Sequence, residues 1–177
     1  ISDSSNLTLD PELDSFYIKE NIVSLLPQVV ENLGQARGMS SGLAARQAIT
    51  NTESIKLTAL ISTVQKNINA LKRGMRVLSG ANKDLSNKID GQVRQTISGS
   101  ENYLGFLNNE ILNANQITVK PATVFSKGTD VIKANFSILD MLAPELSNLL
   151  EIRINNLYNR MTLLSSAVIG ITLLALY

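Results

Sequence analysis

The chain has 177 residues, with 16 basic against 15 acidic side chains and neither Cys nor His. Without those two residue types a disulfide framework, thiolate chemistry, the commonest zinc ligands and the usual general base are gone, so no enzyme, metal or cofactor is expected. The charges are dispersed, aromatics are few and Trp is absent, which leaves nucleic acid no basic block and no stacking platform.

Residues 1–10 are polar and irregular and read as a linker from an upstream membrane span. Asp10 is a good N-cap, Pro11 suits the first helical position, and Glu12 and Asp14 favour the positive helix end. The first helix is predicted over 11–48, with Phe16, Ile22, Val23, Leu26, Val30 and Leu33 on its apolar face. Residues 49–52 break it, and Thr50 with Glu53 forms a capping box that starts the second helix. There Leu57, Leu60, Ile61, Val64, Ile68, Leu71, Met75 and Leu78 recur at threes and fours, opposite Lys56, Lys66, Lys72, Arg73 and Arg76. That basic stripe reads as a solvated face. Gly80 supplies the stop.

Asn82 or Ser86 caps a third helix running to about residue 113, whose apolar positions are Leu85, Ile89, Val93, Ile97, Leu104, Leu107 and Ile111. Residues 113–120 form a loop and Pro121 opens the fourth helix. Its inner face is expected to hold Phe125, Val131, Ile132, Phe136, Ile138, Leu139 and Leu142. It then passes Pro144 and continues through Leu146, Leu149, Leu150, Ile154 and Leu157 at helical spacing. Residues 161–177 hold no charge, no Pro and one Gly. A bilayer core needs about 17–25 mostly apolar residues in a helix, so this segment reads as a membrane span continuous with the polar helix before it. The chain begins with Ile1 and stops within that span, so the expectation is a piece of a longer protein.

No stretch alternates strictly, so no sheet is expected. Short connections make the fold an all-α, antiparallel up-down-up-down four-helix bundle whose last helix continues into the membrane. The expected units are a linker at 1–10, an extracytoplasmic bundle at 11–160 and a truncated transmembrane helix at 161–177. At about 1.5 Å per residue, the first helix and the polar part of the fourth are each roughly 55–60 Å long.

Three features stand out as functional candidates. Pro27 and Pro144 lie inside helical patterns and should bend them, at what helix lengths suggest is one common height. Gly34, Gly38 and Gly42, with Ser41 and Ala45 beside them, make a narrow stripe of small residues. Each helical Gly costs about 1 kcal/mol relative to Ala, so close helix approach within the bundle, a dimer contact or room for a ligand must offset it. Arg37 and Arg46 flank that stripe, with Lys120, Lys127 and Lys56 towards the same end. Arg37, Arg46 and Lys127 are the candidate contacts for an anionic or zwitterionic small molecule, because a planar guanidinium binds carboxylate bidentately. The alternative is that they are solvated or pair with Glu53 or Glu31.

The strings PELDSFY (11–17), LLPQVVENLGQARG (25–38) and LLEIRINNLYNR (149–160), together with four helices leading into a span, resemble the periplasmic ligand-binding domain of bacterial methyl-accepting chemotaxis receptors. The resemblance covers nearly the whole chain. It implies a bacterial inner-membrane protein with its bundle in the periplasm, an upstream span, a homodimer, and relay and signalling modules downstream. It also implies that ligand, an amino acid, an organic acid or nitrate, binds in the half of the bundle far from the membrane, often through arginines of the first helix at the dimer interface. Such sensor modules also serve histidine kinases and cyclases. A membrane-anchored structural or assembly protein that binds another protein is the alternative of a different class.

Overall fold

The computed structural model describes residues 13–176. The expectations for Asp10, Pro11 and the 1–10 linker lie outside them. Every regular element among the described residues is a helix, with no strand among them. In chain order these are α1 (Leu13–Glu20), a π turn (Asn21–Leu25), α2 (Leu26–Arg46), α3 (Asn51–Ala81), α4 (Lys83–Leu107), a second π turn (Asn108–Leu112) and α5 (Pro121–Leu176). α1, the first π turn and α2 follow without a break and form one rod. It lies against α3 and α5, and α4 also lies against α3 and α5.

The π turn changes which residues of the first rod face inward. An N–H in such a turn reaches back five residues instead of four, so one extra residue is accommodated; the Leu26 N–H bonds to the Asn21 carbonyl. Stepping back from the buried Leu26 and Val29 at plain α spacing would bury Ile22 and Lys19 most deeply. The deepest are instead Ile18 and Asn21, one position earlier. Val23, expected inside, is 54% exposed, and Val29 takes the core position expected of Val30. α2 ends at Arg46 because Gln47 turns into the left-handed region at φ 53°, slightly before the expected end.

α3 begins as expected. The Glu53 N–H donates to Thr50 Oγ1 at 3.3 Å, and the Thr50 N–H donates to Glu53 Oε2 at 3.0 Å. Its apolar stripe is buried from Leu57 to Leu78, with Leu60 partly covered. Each fully buried side chain of this size contributes roughly 1.5–3 kcal/mol relative to exposure. The stop is not Gly80. α3 runs on to Ala81, and Asn82 breaks it in an extended conformation. Asn82 closes α3 with its N–H on the Leu78 carbonyl at 2.8 Å and opens α4 by accepting from the Leu85 N–H at 3.0 Å. One residue serves both helix ends, and no glycine among the described residues has positive φ.

α5 buries Ile138 and Leu142 as expected, with Val131, Ile132 and Leu139 packed against the core, and corrects the expectation for the two phenylalanines. Its inner face runs through Val124, Gly128, Asn135, Ile138 and Leu142, while Phe125 and Phe136 are each 49% exposed. The reason lies in what opposes it. A Cβ on Gly128 would stand 2.6 Å from the Tyr103 hydroxyl and 2.7 Å from Arg37 Cγ. Asn135 Nδ2 donates to the buried Ser100 Oγ of α4 at 3.0 Å. The core seam thus carries a glycine and an amide, where an apolar pattern points to the flanking phenylalanines. Pro144 sits inside α5, which remains helical through it. Beyond Arg153 the helix leaves the other rods and is exposed almost throughout. α5 contains an 18-residue window of mean hydropathy 1.5, none of it buried, and is a candidate membrane span.

Candidate functional site

Arg37 projects from α2 towards α5 at the end of the rods remote from the apolar segment. Its Nη1 donates to Thr129 Oγ1 at 2.9 Å, and its guanidinium carbon lies 4.4 Å from the centre of the Phe125 ring. Among the described residues no carboxylate comes within ion-pair distance of it. Nε is buried and without a hydrogen-bond partner. A buried donor left unsatisfied costs about 1–3 kcal/mol, more when charged, and this one is shut off from solvent.

The surroundings are built for that side chain. Gly128 leaves the space its stem occupies. Ser41 Oγ donates to the Arg37 carbonyl at 2.7 Å, and Thr129 Oγ1 donates to the Phe125 carbonyl at 2.8 Å. Tyr103 lies beneath, stacked on Phe106 at 6.1 Å. Burial pushes its phenol well above the usual range, a shift the Arg37 charge opposes, so it stays neutral near pH 7. Its hydroxyl makes one long contact, 3.4 Å to the Val124 carbonyl. Ser40 Oγ, fully buried, is another polar atom with no partner. Alongside runs an open groove of about 520 Å³ whose lining includes Ser41, Phe125, Ser126, Thr129, Asp130 and Lys133 but not Arg37 itself. The cluster can offer an anion a guanidinium edge, nearby hydroxyls and an aromatic wall, with Asp130 available to an ammonium group.

The other candidates fall elsewhere. Arg46 pairs with Glu53 at 2.6 Å and closes the α2–α3 turn. The Thr50 N–H, then the Arg46 guanidinium and the Thr50 hydroxyl, hold the Glu53 carboxyl down to about 2. Lys127 is exposed, with its ammonium 5.4 Å from the centre of the Phe106 ring, and so joins the cluster only through that aromatic pair. Around Gly34, Gly38 and Gly42 an added Cβ meets nothing within 4 Å. The stripe is therefore not a close contact within this chain. The glycine that packing demands is Gly128; a Cβ on Gly74 would lie 3.1 Å from the Tyr17 ring, a tight contact that a small shift of the ring relieves.

A second arginine crosses the same seam nearer the apolar end of α5. Arg153 of α5 donates to Asp14 Oδ1 at 2.5 Å and also to Ser15 Oγ. Asn82 Nδ2 adds a bond to Asp14 Oδ2 at 3.1 Å, so three elements meet at one carboxylate. Lys88 pairs with Glu145 beside Pro144. Between the Asp14–Arg153 and Arg37–Thr129 contacts the two rods have nearly equal lengths. Counting equally from these contacts, Pro144 stands level with the first π turn, and Pro27 stands about one helical turn beyond it. By this count the two prolines stand about one helical turn apart. No known protein family, curated protein or solved structure matches the chain.

Proposed function

We propose that this chain is the extracytoplasmic sensor domain of a transmembrane chemoreceptor, binding a small anionic or zwitterionic molecule at Arg37. The observation that carries this is the half-buried guanidinium with no acid beside it and an orphaned Nε, held between Phe125, Thr129 and Gly128. Amino acids, organic acids and nitrate all offer the matching acceptor. Asp14 meeting Arg153 while Arg37 meets Thr129 supports an antiparallel up-down-up-down bundle. The exposed apolar end of α5 supports entry into a membrane, with the bundle on the periplasmic side of a bacterial inner membrane. The open glycine stripe beside Arg37 supports a homodimer through the first rod.

In this mechanism the ligand draws α5 relative to α2, because it contacts residues of both. Its energy acts only as a difference in affinity between two arrangements of the seam. The π turn and Pro144 face each other at one level, each interrupting regular α hydrogen bonding, and form the pliable waist across which α5 moves. A shift of an Å or two then passes along the unbroken helix. The test is a thermal-unfolding screen of the chain in nanodiscs against amino acids, organic acids and nitrate. A ligand at 100 times its dissociation constant adds about 2.7 kcal/mol and raises the midpoint by several degrees. No shift across the panel would sink direct sensing.

A further inference from the structure

The seam between α3 and α4, on the opposite side of the rods from Arg37, carries two open grooves that meet at Glu101. One, about 510 Å³, has Met75, Val93 and Ile97 in its lining and Lys72, Arg76 and Arg94 at its edges. The other, about 640 Å³, passes Leu104 between Lys66 and Arg73. Small residues on the lining, Ser98 and Gly105 among them, keep both grooves open. From Ile61 to Ser79 they follow about 27 Å of α3. The acids in the seam are already engaged, Glu101 with Lys72 and Asp90 with Arg94, each at 2.7 Å. Among the described residues Lys66, Arg73 and Arg76 have no carboxylate within ion-pair distance.

We propose that this seam docks an acidic amphipathic helix of a partner protein. The cations are strung along the groove instead of converging on a point, which matches an extended polyanionic partner and not a small anion. The partner's apolar face lies over the groove floor, where Met75, Val93 and Ile97 are 8%, 2% and 7% exposed, and carboxylates along the flank facing α3 meet Lys66, Arg73 and Arg76. Because the Arg37 cluster lies on the far side of the rods, both surfaces are accessible at once.

The probe is a synthetic helix of about 18 residues, enough to span the seam, with Leu on one face and Glu on its flanks. It is titrated by fluorescence anisotropy onto the full chain in nanodiscs of neutral lipid. Binding is expected to saturate and to weaken at least about tenfold in the Arg73→Glu, Arg76→Glu double variant, whose circular dichroism should be unchanged because both side chains are exposed. It should also weaken as salt rises from about 50 to about 300 mM and survive Arg37→Ala. A scrambled peptide of equal charge should bind worse. Equal binding by the scrambled peptide, insensitivity to charge reversal, or no saturable binding would each overturn the proposal without touching the Arg37 assignment.

Discussion

Two arginines cross the seam between the first rod and α5, and their surroundings are opposite. Arg153, nearer the apolar end of α5, is met by Asp14 and Ser15, with Asn82 completing the carboxylate's partners. Arg37, at the far end, is met by a threonine hydroxyl and a phenyl ring, with one nitrogen unpaired. A charge removed from water is stabilised when an acid and further hydrogen bonds accompany it, and costs several kcal/mol when they do not. The first arginine therefore ties the helices together, while the second is the one we propose to meet an anion. The same residue type in the same seam stands in two environments, set by whether the chain supplies the acid.

The comparison is broken hardest by filling the space around Arg37. Gly128→Ala should cost roughly 1–3 kcal/mol through overpacking against Tyr103 and Arg37, and should abolish ligand binding. Gly38→Ala, which meets nothing, should instead stabilise the monomer by up to about 1 kcal/mol. Thermal unfolding of both variants at low protein concentration decides this, and equal effects at the two sites would contradict the packing described.

Towards the apolar end of α5, Arg153→Ala should lower stability by about 1–2 kcal/mol, since the side chains of Arg153 and Asp14 are 23% and 16% exposed, and should leave affinity for the proposed ligand within about twofold. Denaturant unfolding and ligand titration of the same sample check both halves. A variant that loses binding in proportion to stability would merge the two regions into one.

The smallest effect lies at the α2–α3 turn, where Glu53 caps α3. Its carboxyl is held at about 2, below the ordinary 4.5, chiefly by the Thr50 N–H. A lowered folded-state value means that the cap's contribution is full above pH 4.5 and fades as pH falls towards 2. The Glu53 carboxyl resonance should titrate near the lower value, and in Thr50→Ala it should move up towards the ordinary one.

Much of this was legible where the signal is local. Thr50 with Glu53 and Pro121 act over a turn or less, the α3 stripe repeats at that spacing, and each sits where the sequence places it, while Asn82 is one of the two caps expected for α4. Arg37 was legible as a charge beside small residues. The π turn was not, because a five-residue hydrogen bond has no composition of its own. Nor was the α5 register, because Gly128 and Asn135 belong to the core only once Arg37, Tyr103 and Ser100 come from other helices to meet them. Asp14 and Arg153 were visible as charges, but their pairing depends on the fold. Glycine's preference for helix C-termini also points to Gly80 as a stop, whereas the cap chemistry of Asn82 decides the end.

The most direct measurement is a ligand titration of Arg37→Met beside the parent chain, with nitrate, amino acids and organic acids followed by thermal unfolding. Methionine keeps an unbranched stem against Phe125 and Gly128 and removes the unpaired charge. Stability without ligand should hold within about 0.5 kcal/mol or rise, and the ligand-induced shift should vanish, while Arg46→Ala retains it. A midpoint that still rises with ligand in Arg37→Met, or a marked loss of stability without ligand, would contradict the assignment of Arg37 as the open member of the pair.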